Sequence, residues 1–152
     1  MSDTQASFQI EKIYVKDLSL ELPNAPQIFL QAETPQLDVQ INNEGVQLAE
    51  GLYEVVVTVT VTARGAEKTL FLAEAAQAGI FSLRGIPEQD IDPLLGIACP
   101  NILYPYVRET ISDLVVRGGF PPVLLAPVSF EALYLQRKQQ QVADGAQTEP
   151  GT

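Results

Sequence analysis

Between Phe8 and Glu21 apolar and polar residues alternate, lose phase near Lys12-Ile13 and alternate again, the pattern of a strand carrying a bulge. Prolines at 23, 26 and 35 interrupt the next stretch, which holds Ile28, Phe29 and Leu30, and predict an extended crossover loop instead of a hairpin. Leu37, Val39 and Ile41 then alternate with Gln36, Asp38 and Gln40 ahead of an Asn42-Asn43-Glu44-Gly45 turn signal, so a second, half-buried strand is expected. Tyr53, Val55, Val57, Val59, Val61 and Ala63 form one face of a third strand, and Glu54, Val56, Thr58, Thr60 and Thr62 form the other. After a turn at Arg64-Gly65-Ala66, residues 69–81 read as a fourth strand with small or apolar residues on both faces, broken mainly by Glu74 and Gln77. A strand of that kind is expected to be covered on both sides.

Ile102, Leu103, Tyr106, Val107, Thr110, Ile111, Leu114 and Val115 recur at three- and four-residue spacing, with Pro100 leading in and Gly118-Gly119 leading out. They predict a helix of about 16 residues, some 24 Å long at ~1.5 Å per residue. Three prolines among Val and Leu make residues 120–127 an extended apolar connector. Ser129 is placed to cap a shorter helix with Phe130, Leu133 and Tyr134 on one face. The chain therefore reads as α+β, a four-stranded antiparallel sheet with two C-terminal helices on one face. Its expected divisions are a disordered N-terminus at 1–7, one folded domain at 8–138 and a disordered tail at 139–152, where Gln139-Gln140-Gln141 leads into Gly, Thr, Glu and Pro.

Composition sharpens this picture in one respect. Only 18% of residues are charged while 46% are hydrophobic, so the surface must carry more uncharged area than usual. Two helices can cover only one face of the sheet, and the doubly apolar fourth strand therefore asks for a neighbouring chain. Ala73, Ala75 and Gln77, opposite Glu74, are the expected contact positions. Nineteen acidic against nine basic residues give a net charge of -10, which argues against nucleic acid and favours basic partners.

Enzymatic chemistry finds little footing. The chain has no His, the commonest general base, and a single cysteine, Cys99, which excludes an intrachain disulfide and fits a reducing cytoplasm. Cys99 precedes the long helix, where a thiol can be activated, but with no base nearby it reads as a small buried hydrophobe. Glu88, Asp90 and Asp92 resemble a fragment of a calcium loop but lack its glycine and distal Glu, so no metal is expected. The glycines form no phosphate-cradling pattern, and no cofactor is expected. The first residues lack a secretory signal, and no apolar run reaches the ~18 residues of a membrane span.

Several stretches resemble one known family in order and spacing. They are Ile13 to Glu21 with Pro23-Asn24-Ala25-Pro26, Phe71-Leu72-Ala73-Glu74, Gly79-Ile80-Phe81, Cys99 to Tyr106, and Gly119 to Val128. Together they resemble the protein-export chaperone family SecB over residues 8–138. The resemblance implies a cytoplasmic homotetramer, built as a dimer of dimers, that holds unfolded precursors without ATP and delivers them to the motor ATPase SecA. It implies a SecA-docking set at Asp17, Glu21, Leu72 and Glu74. On the first strand, Asp17 and Glu21 lie on one side roughly 13 Å apart at ~3.3 Å per residue. It further implies a client groove lined by Leu37, Val39, Ile41, Leu124, Phe130, Leu133 and Tyr134, and a tail from about Gln139 that adds contact with the motor. Unlike the crossover loop of some members, residues 31–35 contain no Trp. Other readings are a SecB-like guardian of an antitoxin and a carrier of small apolar ligands, which would need a closed pocket.

Overall fold

The computed structural model describes residues 5–31 and 34–148. Strands β1 (Ser7–Glu21), β2 (Gln36–Ala49), β3 (Leu52–Arg64) and β4 (Thr69–Arg84) form one antiparallel sheet in the order β1-β4-β3-β2. The chain continues through a short helix α1 (Glu88–Pro93), one π-helical turn (Leu94–Ala98), a long helix α2 (Cys99–Arg117) and α3 (Phe130–Thr148). The crossover contains a single 3-10 turn, Gln27–Leu30, of which only Ile28 is buried.

Strand β1 carries two register shifts against β4, between Ile10 and Lys12 and between Val15 and Asp17, where the sequence predicts one phase slip. Each shift adds one residue and restores the alternation, so Ile10, Ile13, Val15, Leu18 and Leu20 all pair with the same alternate set of β4 positions, from Phe81 to Ala73. That set faces α2. Tyr53, Val55, Val57, Val59, Val61 and Ala63 of β3, and Phe71, Ala73, Ala75 and Phe81 of β4, form the core with Cys99, Leu103, Tyr104, Val107, Ile111 and Val115 of α2. At Gly79 a β-carbon would lie 2.8 Å from the Phe81 ring and 3.1 Å from Leu103, so glycine lets helix and sheet approach.

Both predicted helices form, and their ends follow from side chains read in the sequence. Gly119, at φ 88°, closes α2: its N–H donates to Val116 O at 3.0 Å and that of Phe120 to Val115 O at 3.3 Å, a Schellman closure. Ser129 Oγ accepts the N–H of Ala132 at 3.2 Å at the start of α3. α3 then runs on to Thr148, past Gln139, where the tail is expected to begin. Residues 1–4 and 149–152 of the two expected disordered ends lie outside the described residues.

The structure corrects the expected assembly positions. Ala73 and Ala75 are fully buried and Gln77 is 3% exposed within one chain, because their face of β4 is the one under α2. Gln77 is tied into that interior. Its Nε2 donates to Tyr14 O and its Oε1 accepts from Thr110 Oγ1, each at 3.2 Å. Three residues without free surface cannot meet a second chain. The uncovered apolar area lies elsewhere: Ile10, Val15 and Leu18 on β1 and Tyr106 and Val116 on α2 are about half exposed.

Candidate functional site

The opposite face of the sheet is half-buried and polar, with Thr58, Thr60 and Thr62 along β3. Across β1 and β4, Glu21 pairs with Leu72, Ser19 with Glu74 and Asp17 with Ala76. Directly paired antiparallel residues share a face, so Asp17, Glu21, Leu72 and Glu74 form one continuous patch. Asp17 and Glu21 are exposed, Leu72 and Glu74 half-buried. Thr60 Oγ1 donates to Glu74 Oε2 at 2.7 Å and steadies that carboxylate. The patch thus presents three carboxylates around one leucine.

Farther along the same face, Lys16 Nζ reaches Glu54 Oε1 at 2.8 Å and the Tyr14 hydroxyl donates to Glu54 Oε2. The Lys16 and Tyr14 hydrogen bonds hold the Glu54 carboxyl below the usual range, and burial with the Glu54 bond pushes the Tyr14 hydroxyl up to about 12. This charge is internally compensated, unlike Asp17 and Glu21.

The predicted groove is brought together in part. Leu37, Val39 and Ile41 oppose Ala63, Val61 and Val59, which places them on the α2 side of the sheet at its outer strand. Leu37 and Val39 are 47% and 40% exposed, while Ile41 packs against the core. Farther along β2, Asn43 to Gly45 meet α3: Arg137 Nη2 donates to Asn43 Oδ1 at 2.9 Å, and Tyr134 lines the same cleft. Leu133 packs on the core from α3. Phe130 does not line a groove. It is 1% exposed and sits edge-on to Tyr104 with ring centroids 5.7 Å apart, since the first turn of α3 is the part pressed into the interior. Leu124 is 81% exposed but lies on the flank of α2, in a cleft of about 500 Å³ with Pro105, Arg108 and Val116.

Sequence reasoning missed the crossover aromatics. Phe29 and Leu30 are 49% and 84% exposed, and Phe29 stacks at 5.3 Å on Phe120, which in turn meets Phe71 at 4.9 Å. The loop therefore offers aromatic surface without a Trp. The signal was the run Ile28-Phe29-Leu30, from which a one-turn helix can bury only one residue.

Among the described residues no cluster of three or more metal-ligating side chains occurs, and no helix is long and apolar enough to cross a membrane. Cys99 is fully buried, and burial pushes its thiol up to about 12. What the geometry offers is contact area.

The sequence matches the family described as Preprotein translocase subunit SecB over residues 1–141. The chain belongs to the SecB family. A Protein-export protein SecB of Methylobacillus flagellatus is 63% identical over 147 residues, covering 96% of this chain and 94% of that protein. Its counterpart in Chromobacterium violaceum is 61% identical over 143 residues, covering 94% and 95%. Among solved structures, a SecB-like chaperone of Mycobacterium tuberculosis in complex with an antitoxin peptide superposes with a TM-score of 0.66 at 19% identity, over 80% of this chain and 90% of that one. That likeness gives the SecB fold, and the two surfaces above are the features of this chain set upon it.

Proposed function

We propose that this chain is an ATP-independent holdase of the cytoplasm that binds unfolded precursor proteins, keeps them competent for export and delivers them to the SecA motor. Beside the family, the observation carrying this reading is the set of large apolar side chains left free of the core, Phe29, Leu30, Leu37 and Val39, along the crossover and the outer strand. Such a surface recognises unfolded chains by area. One anchored client side chain contributes about 2 kcal/mol at ~25 cal/mol per Å², and micromolar affinity needs about 8 kcal/mol besides ordering costs. A client must therefore engage several anchors, which favours a homotetramer presenting several copies of the surface. In place of Ala73, Ala75 and Gln77, the assembly uses Ile10, Val15, Leu18, Tyr106 and Val116, whose exposure supports this role. The patch of Asp17, Glu21, Leu72 and Glu74, free of the client surface, docks the motor through its charge.

The test is suppression of aggregation of an unfolded precursor, followed by light scattering without nucleotide. Wild type holds the precursor at stoichiometric amounts and ignores its native form. Leu37→Ser with Val39→Asp loses holding while keeping its circular dichroism and molecular mass. Equal affinity for native and unfolded precursor, or full holding by the double variant, overturns the reading.

A further inference from the structure

Beyond Tyr134, α3 buries no apolar side chain in its described part: Leu135 is 53% and Val142 73% exposed. What holds this length of helix is polar. Tyr134 Oη donates to Asp92 Oδ2 at 2.7 Å, and Lys138 Nζ reaches the same oxygen at 2.9 Å. Arg137 bonds Asn43 on β2. Lys138 also lies over the Tyr134 ring, 5.5 Å from its centroid. Residues 134, 137, 138 and 141 lie on one helical stripe, and beneath them is a cavity of about 180 Å³ bounded by Asn43, Glu44, Gly45, Asp92, Leu95 and Gly96. Gly96 is the seat. A β-carbon there would stand 2.6 Å from the Tyr134 ring, so only glycine admits the ring at this depth.

We propose that α3 is a hinged cover, anchored at Phe130 and latched by an electrostatic clasp in which Asp92 holds Tyr134 and Lys138, and that releasing the clasp opens the cavity beneath it. The pivot is the buried Phe130–Tyr104 contact in the first turn of α3, and the extended connector before Ser129 leaves that turn free to rotate about it. Opening adds Leu95 and the inner sides of Leu133 and Tyr134 to the apolar surface of β2. Asp92 and Lys138 are exposed, so salt screens their ion pair, whereas the Phe130 anchor is untouched by it. The consequence for clients rests on the proposed reading of β2 and α3 as a client surface; the latch itself does not.

Hydrogen exchange of α3 amides between 135 and 144 tests the latch on the full chain. Asp92→Asn is expected to speed exchange there roughly three- to tenfold at low salt, leaving β3, β4 and α2 unchanged. Raising salt to about 0.5 M should bring wild type toward the variant and leave the variant nearly unmoved. Gly96→Ala should loosen the same amides with every charge intact, by displacing the Tyr134 ring. Equal exchange in wild type and Asp92→Asn, or acceleration spread over the whole chain, overturns the latch. A parallel measurement of precursor release separates the two ideas: wild type that binds no precursor defeats the proposed function, while the exchange result still decides the latch.

Discussion

Replacing Gln77 by Leu asks whether the helix-covered face of β4 is the interior of one chain. The substitution keeps the side-chain volume near its native value and removes two hydrogen bonds of 3.2 Å each. Thr110 loses little, because its single hydroxyl proton has the Tyr106 carbonyl oxygen as a second acceptor at 2.9 Å. Tyr14 O loses the Gln77 amide between the two β1 register shifts. A part-buried acceptor that loses this donor costs up to about 1 to 3 kcal/mol, part of which the extra apolar burial of Leu returns. The net expectation is a loss of about 1 kcal/mol, a fall of roughly 2 to 4 °C in Tm for a chain of this size. The assay is thermal unfolding at fixed protein concentration, paired with light scattering on a size-exclusion peak at 20 °C. The Tm should fall while the mass in solution stays as in wild type. An unchanged Tm with a mass in solution below that of wild type would refute the interior placement and restore Gln77 to a contact between chains.

Reversing Asp17, Glu21 and Glu74 to Lys should weaken binding to the SecA motor by about tenfold or more in a titration at low salt, with precursor holding intact; unchanged binding removes the docking assignment. Because Lys16 and Tyr14 lower the Glu54 pKa, that carboxylate stabilises the fold fully above its ordinary pKa of about 4.5 and ceases to as pH falls through the lowered value. Urea midpoints of wild type and Glu54→Gln should therefore converge on acidification from about pH 6 to pH 3. Cys99, its thiol raised by burial to about 12, should react with an alkylating reagent at pH 8 at least a hundredfold more slowly, by order of magnitude, than in denaturant. Rapid native alkylation would contradict its burial.

The core strands were legible because β3 alternates without a fault, and Val55 to Val61 fill alternate core positions as read. Alternation cannot say which face a helix will take. On β4, where both faces are small, the face opposite Glu74 reads as one that a neighbouring chain must cover; α2 of the same chain covers it instead, and the Gln77 amide is satisfied inside by one β1 carbonyl and one α2 hydroxyl. Carboxylates at Glu88, Asp90 and Asp92, weighed in the sequence as a calcium-loop fragment, concealed α1, though Ile91, Leu94 and Leu95 already stood at helical spacing and pack on the core. The set Asp17, Glu21, Leu72 and Glu74 came from the family resemblance, not from any local pattern, and the register of β1 on β4 brings its members onto one face. The groove was not fully legible, because whether Phe130 or Leu124 is free depends on where the connector lays α3 and the flank of α2, which no local pattern records.

The strand order β1-β4-β3-β2 also sets a timetable. β2, β3 and β4 are joined in turn by short turns and can zip as consecutive hairpins, whereas β1 pairs Ser7 with Arg84 and Glu21 with Leu72. Loop closure is entropically harder for such distant partners, so local pairings precede them. β1, made before the other three strands, is thus the last of the four to find its neighbour, and Ile13 and Leu20 wait in water until β4 has been made. For that interval a holdase is itself an unfolded chain with an apolar stretch in need of cover.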